Sequence, residues 1–110
     1  MENNPLKEKS FEFFLKIYKY LLKKNEFVLS KQILRSGTSI GANIVEANDA
    51  ISKKEFRAKM SIALKEARET KYWLDLLVES EFLSQTQVEN VGILLNELIS
   101  MLVKVVKNAK

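Results

Sequence analysis

Apolar residues in this chain recur every three or four positions over four stretches, separated by short polar breaks, and nowhere alternate with the period of two that marks a strand. The first stretch opens at Asn4-Pro5, a cap residue followed by the amino acid best shaped for the first helical position. Phe11, Phe14, Tyr18 and Leu21 form its predicted inner face. Lys23-Lys24-Asn25 closes it, with cations at the negative end of the helix dipole. The second stretch is predicted from about Phe27 to Ala50, where Ile33, Gly37, Ile40, Ile44, Ala47 and Ile51 step by 4, 3, 4, 3, 4.

The third begins at Ser52-Lys53-Lys54-Glu55, a capping-box pattern in which each side chain can satisfy an orphan backbone amide. Its predicted core positions are Phe56, Met60, Ala63, Ala67, Thr70, Leu74 and Leu77. A second box, Ser84-Gln85-Thr86-Gln87, opens the fourth, and Val88, Val91, Leu95, Leu98, Leu102 and Val105 continue the same rhythm. Short connections between such long segments imply antiparallel neighbours, and sustained heptads favour near-parallel packing at about 20°. The expected fold is therefore all-α: an antiparallel up-down-up-down four-helix bundle, one domain over residues 1–110.

Two stripes beside the core positions carry polar chemistry. On the second helix Gln32, Ser36, Ser39, Asn43 and Glu46 step by 4, 3, 4, 3, with Arg35 on the edge. On the third, Ile62, Glu66, Glu69, Trp73 and Leu76 form a mixed stripe with two carboxylates at its centre. Arg35, Ser39, Asn43, Glu46, Glu66 and Glu69 are accordingly expected to form a structural polar network between helices or subunits, since buried polar groups must be paired. Small residues nearby, among them Gly37 and Gly41, let another helix approach closely. Each glycine costs about 1 kcal/mol in a helix, so both call for a packing reason.

Composition narrows the chemistry. With no cysteine and no histidine, the chain lacks disulfides, thiolate metal sites, the commonest general base and the Glu-x-x-His motif of di-iron bundles. An enzyme would need a metal on Glu46, Glu66 or Glu69, and with an arginine beside them a structural role is preferred. No catalytic residue, cofactor or metal is expected. The run RSGTSIGAN from Arg35 to Asn43 lacks the lysine and spacing of a phosphate loop and sits mid-helix, where the amides are already bonded. The N-terminal segment is polar and no uncharged run approaches the ~20 residues that span a bilayer, so a cytoplasmic location is expected.

The formal charge is 18 − 14 = +4, and it is segregated. Lys54, Arg57, Ser61, Lys65, Arg68 and Tyr72 fall on one face of the third helix, and Lys16, Lys19, Lys23 and Lys24 add charge on the first. A cationic face ending in a tyrosine suits phosphate contact with base stacking, although an ordinary solvated face shows the same spacing. Lys54, Arg57, Lys65 and Arg68 are the candidate nucleic-acid-binding residues. Apolar residues also exceed one seam per helix. Phe13, Leu15, Tyr20, Ile62, Leu64, Trp73, Leu76, Leu94, Ile99 and Val103 lie beside the predicted stripes, which points to self-association or to a partner helix.

The run VLSKQILRSGTSIGANIVEA from Val28 to Ala47 resembles the second-helix signature of the bacterial four helix bundle proteins, also called 23S rRNA-intervening-sequence proteins. Phe56 and the run KMSIALKEARETKYWL from Lys59 to Leu74 resemble the third-helix signature, and with the Phe82-Leu83-Ser84 turn the likeness covers nearly the whole chain. The resemblance implies an up-down-up-down bundle and, from relatives of known structure, a ring-shaped homopentamer. It also implies kinship with the accessory protein of diversity-generating retroelements, a basic pentameric bundle that binds nucleic acid and a reverse transcriptase. It brings no catalytic residues. The expected function is a non-enzymatic homo-oligomer binding RNA or DNA, its charge rising to about +20 for five copies. The alternative is a scaffold that recruits a partner protein without nucleic acid.

Overall fold

The computed structural model describes residues 4–23 and 25–109; Lys24, expected at the cationic end of the first helix, lies outside them. Four helices follow one another, α1 (Pro5–Leu22), α2 (Val28–Asn48), α3 (Lys53–Glu79) and α4 (Gln85–Asn108), with no strand among the described residues. Each packs on its chain neighbour, and α1 closes the ring against α4, giving a bundle 43 × 24 × 20 Å. The α2–α3 seam is the most extensive of the four.

Local chemistry sets the helix ends. The Asn4 side chain accepts from the Lys7 amide at 3.2 Å, with Pro5 in the first turn. At Ser84 both halves of the box are present, the Gln87 amide donating to Ser84 Oγ and the Ser84 amide to Gln87 Oε1, each at 3.1 Å. At α3 only half of the expected box forms. Ser52 Oγ accepts from the Glu55 amide at 3.0 Å, but the Glu55 carboxylate takes the Ile51 amide instead of the Ser52 amide. The end of α3 is a Schellman turn: the Phe82 amide donates to the Leu77 carbonyl and the Glu81 amide to Val78, with Glu81 left-handed at φ 65° where glycine is usual.

One cap has no counterpart among the sequence expectations. The Glu26 carboxylate, just ahead of α2, accepts from the amides of Val28, Leu29 and Ser30 at 2.9 Å each and from Ser30 Oγ at 3.2 Å. Partial burial pushes this carboxyl up, but the hydrogen bonds from Leu29, Ser30 and Val28 and the Ser30 hydroxyl outweigh it and hold it below its ordinary value. Three of the four orphan amides that begin α2 are thereby satisfied.

The core follows the expected stripes on three helices. Ile33, Gly37, Ile40, Ile44 and Ala47 of α2, Met60 to Leu77 of α3, and Val91, Leu95, Leu98 and Leu102 of α4 are buried. Phe56, Val88 and Val105 are half-buried at the ends, and Ile51 lies beyond α2, 94% exposed. On α1 the expectation holds only at Leu21. The inner face is Leu6, Ser10, Phe13, Ile17 and Leu21, so Phe13 and Ile17 are fully buried while Phe11 and Tyr18 are exposed and Phe14 is half-buried. The true seam runs the length of the helix and has a serine at its second position, which breaks the apolar count. Ser10 Oγ donates to the Lys7 carbonyl at 2.8 Å and so enters the core already satisfied. Its small volume also admits α2, because a β-carbon added at Gly41 would stand 3.3 Å from Ser10 Oγ. At Gly37 an added β-carbon would stand 3.4 Å from the Phe14 ring, an ordinary van der Waals contact. The close approach of α1 is thus a packing reason for Gly41 and not for Gly37.

Candidate functional site

Side chains three and four residues apart share one side of a helix, and on α3 the side opposite the core carries Lys54, Arg57, Ser61, Lys65, Arg68 and Tyr72. All four candidate cations are exposed. The three glutamates of this stretch lie elsewhere: Glu55 folds back onto the Ile51 amide, while Glu66 and Glu69 turn toward α2. From Lys54 to Tyr72 the face therefore carries no carboxylate, and the next ones on it are Asp75 and Glu79. Among the described residues Lys54, Lys65 and Arg68 take part in no ion pair. Arg57 has a second task, its Nε donating to the Val106 carbonyl at 3.4 Å at the end of α4. That contact brings the α4 terminus alongside the start of α3, where exposed Lys104 and Lys107 extend the positive charge. Their contribution depends on chain topology and is not contained in the α3 spacing.

Tyr72 stands at the end of the cationic row, 57% exposed. Its ring meets Trp73 edge-on, with centroids 5.1 Å apart and planes at 62°. Trp73 is held in turn, Nε1 donating to Glu69 Oε2 at 3.0 Å.

The expected polar network separates into three pieces. In the first, Arg35 bonds Glu69, lies 3.6 Å from Glu66 Oε2 and donates through Nε to Gln32 Oε1 at 3.2 Å. Glu66 is buried, and among the described residues its Oε2 has no hydrogen-bond partner, so the arginine neutralises it through space only. In the second, the Asn43 amide donates to the Ser39 carbonyl and to Ser39 Oγ, entirely within α2. In the third, Lys59 Nζ lies 2.8 Å from Glu46 Oε1 and its pKa is raised, mainly by that hydrogen bond. Ser36, expected on the polar stripe, is instead fully buried and bonded to Thr70 Oγ1 at 2.7 Å. Glu46 is thus kept apart from the Glu66–Glu69 pair, and the described residues contain no group of three His, Cys, Asp or Glu able to hold a metal.

A second surface runs along the α1–α2 seam. Phe11, Gly37, Gly41, Ala42 and Val45 line an open apolar groove of about 480 Å³, and Tyr18, Leu22, Phe27 and Leu34 line a smaller one of about 180 Å³ nearer the helix turn. Tyr18 of the smaller groove stacks on Phe14, with centroids 5.7 Å apart. Of the apolar surplus, Phe13 and Leu94 go to the core and Tyr20, Leu64, Trp73 and Ile99 pack against it, whereas Leu15, Ile62 and Val103 remain exposed. Among the described residues no helix is long and apolar enough to cross a membrane.

The family model described as 23S rRNA-intervening sequence protein matches residues 2–104. Among solved structures, a protein of unknown function from the S23 ribosomal protein family of Bacteroides thetaiotaomicron is 48% identical. It superposes with a TM-score of 0.87 over 94% of this chain and 99% of its own. No curated protein matches.

Proposed function

The chain belongs to the 23S rRNA-intervening sequence protein family, and from that premise we propose that it works as a non-enzymatic homo-oligomeric module binding RNA or DNA through cationic helix faces. The observation that carries this reading is the outer side of α3, where Lys54, Arg57, Lys65 and Arg68 stand exposed with no carboxylate among them. A linear array of fixed cations releases counterions from a polyanion on contact, the dominant sequence-independent term in nucleic-acid affinity. A net charge of only +4 gives one copy little avidity, so repetition in an oligomer is part of the proposal. The apolar α1–α2 grooves are the surface we assign to contact between copies. A ring of five, implied by the family resemblance, is the expected assembly.

Filter binding to a structured RNA tests this reading. Replacing Lys54, Arg57, Lys65 and Arg68 together by alanine should lower affinity at least tenfold and flatten the salt dependence by several units of slope, because each lost phosphate contact removes ~0.7–0.9. Low affinity that the replacement leaves unchanged refutes it. Size-exclusion chromatography with light scattering, with absorbance ratios followed across the peak, reads assembly and co-purified nucleic acid together.

The same grooves favour a second reading, a scaffold that recruits a partner protein. Phe11, Tyr18, Leu22 and Phe27 expose more clustered apolar surface than a monomer needs. A stoichiometric partner retained through nuclease treatment and high salt, with no RNA affinity in the chain itself, would select it.

A further inference from the structure

Three features of Tyr72 coincide. It lies on the same side of α3 as Lys65 and Arg68, its ring is largely exposed, and the cationic row stops at it because Asp75 and Glu79 follow on the same side. A phosphate backbone lying along α3 meets attraction from Lys54 to Arg68, over roughly 20 Å at ~1.5 Å per residue, and repulsion beyond Tyr72. The ring at that boundary is not a loose surface aromatic. It rests against the Trp73 indole, which is tied to Glu69, which is tied to Arg35 of α2. The α2–α3 seam thus fixes one side of the tyrosine while the rest of its ring faces solvent. An exposed aromatic next to a row of cations is what an unpaired base needs, whereas a duplex keeps its base faces stacked inside and offers only phosphates and groove edges.

We propose that Tyr72 is a base-stacking platform and that the α3 face takes single-stranded nucleic acid, phosphates along Lys54 to Arg68 and one base against the Tyr72 ring. This rests on the nucleic-acid reading above and narrows it to a substrate class. RNA and DNA share the chemistry involved.

The full chain is titrated with oligouridylate and oligothymidylate of about 12 nucleotides, a length within the usual single-strand site sizes, and with a duplex of equal length. Binding is followed by fluorescence anisotropy of the labelled strands. Trp73, the one tryptophan of the chain and the neighbour of Tyr72, reports separately through its emission. Single strands should bind more tightly than duplex and should change the Trp73 emission. Tyr72→Ala should weaken single-strand binding roughly fivefold or more, matching the loss of one stacked base, and leave duplex binding unchanged. Tyr72→Phe should retain single-strand affinity, and Lys65→Ala with Arg68→Ala should weaken both ligands. If uridylate and thymidylate respond alike, the platform ignores the 2′-hydroxyl; if only one responds, that strand is the substrate. Binding of both ligands with Tyr72→Ala affecting them equally, or not at all, overturns the stacking platform and leaves the cationic face standing. Absence of binding to every ligand overturns both proposals.

Discussion

Removing the guanidinium of Arg35 should expose how α2 and α3 share charge. Glu66 is buried to within 9% of its surface, its Oε2 has no hydrogen bond, and its nearest cation is Arg35 Nη1 at 3.6 Å. At an effective dielectric of ~20, unit charges at that separation attract by about 4.6 kcal/mol, most of it offset by the cost of taking the pair out of water. Half of the Arg35 side chain remains in solvent, which screens the pair further. The net cost of Arg35→Met is therefore placed at ~1–3 kcal/mol, below the 3–5 kcal/mol typical of breaking a fully buried pair. The cost comes mainly from a carboxylate left without compensation. Making that group neutral by Glu66→Gln should recover much of it, with a coupling of about 1–2 kcal/mol in the double-mutant cycle. Urea unfolding of the four proteins at neutral pH measures both quantities. A deficit under about 0.5 kcal/mol would refute the reasoning, and a larger deficit without coupling to Glu66→Gln would move the cost to the Arg35–Glu69 pair.

Three further outcomes are expected. Glu26→Ala should cost about 0.5–2 kcal/mol at pH 7 through loss of the α2 cap. Because the folded carboxyl is held below its ordinary value of 4.5, this contribution is present above that pH and fades as pH falls through the lowered value, so wild-type and variant unfolding curves should converge in acid. Glu81→Gly should stabilise by about 0.5–1 kcal/mol, since the left-handed residue at φ 65° then bears no β-carbon, and a melting temperature no higher than wild type would count against it. Phe13→Ala should cost about 3–5 kcal/mol, and Phe11→Ala, two residues earlier, under about 0.5 kcal/mol in monomer stability while weakening association measured by light scattering. Equal costs for the two would place the α1 seam elsewhere.

The fold was largely legible in the chain. Helix ends at Asn4-Pro5, Ser52 and Ser84 are written in local cap chemistry, and three core seams follow an unbroken period. The α1 seam was not, because two periodic stripes coexist on that helix and the buried one passes through Ser10. Counting apolar residues selects Phe11, Phe14 and Tyr18, whereas burial turns on which stripe the neighbouring helices cover along its full length. The cationic side of α3 was legible from spacing alone, since it needs only one helix. What spacing could not supply was the partition of charge across helices: that Glu66 and Glu69 would be drawn off by Arg35, that Lys59 would pair with Glu46, and that Lys104 and Lys107 would arrive beside Arg57. Ser39 and Asn43 bond within their own helix, a pairing that the shared stripe does not distinguish from contact across helices. Glu26 escaped notice because it lies outside the periodic segment it caps, one residue before Phe27.

The two surfaces sit on different sides of the bundle, the grooves on the α1–α2 seam and the cationic row at the α3 corner, and they answer ionic strength oppositely. At 0.15 M salt charges are screened within ~8 Å, and more salt shortens that reach further, so whatever the α3 row holds should loosen. Burial of the α1–α2 aromatics carries no such penalty and is strengthened by excluded salts such as sulfate. Raising sulfate is thus a dial that turns down one surface while turning up the other, and purification in it should yield assembled protein stripped of polyanion.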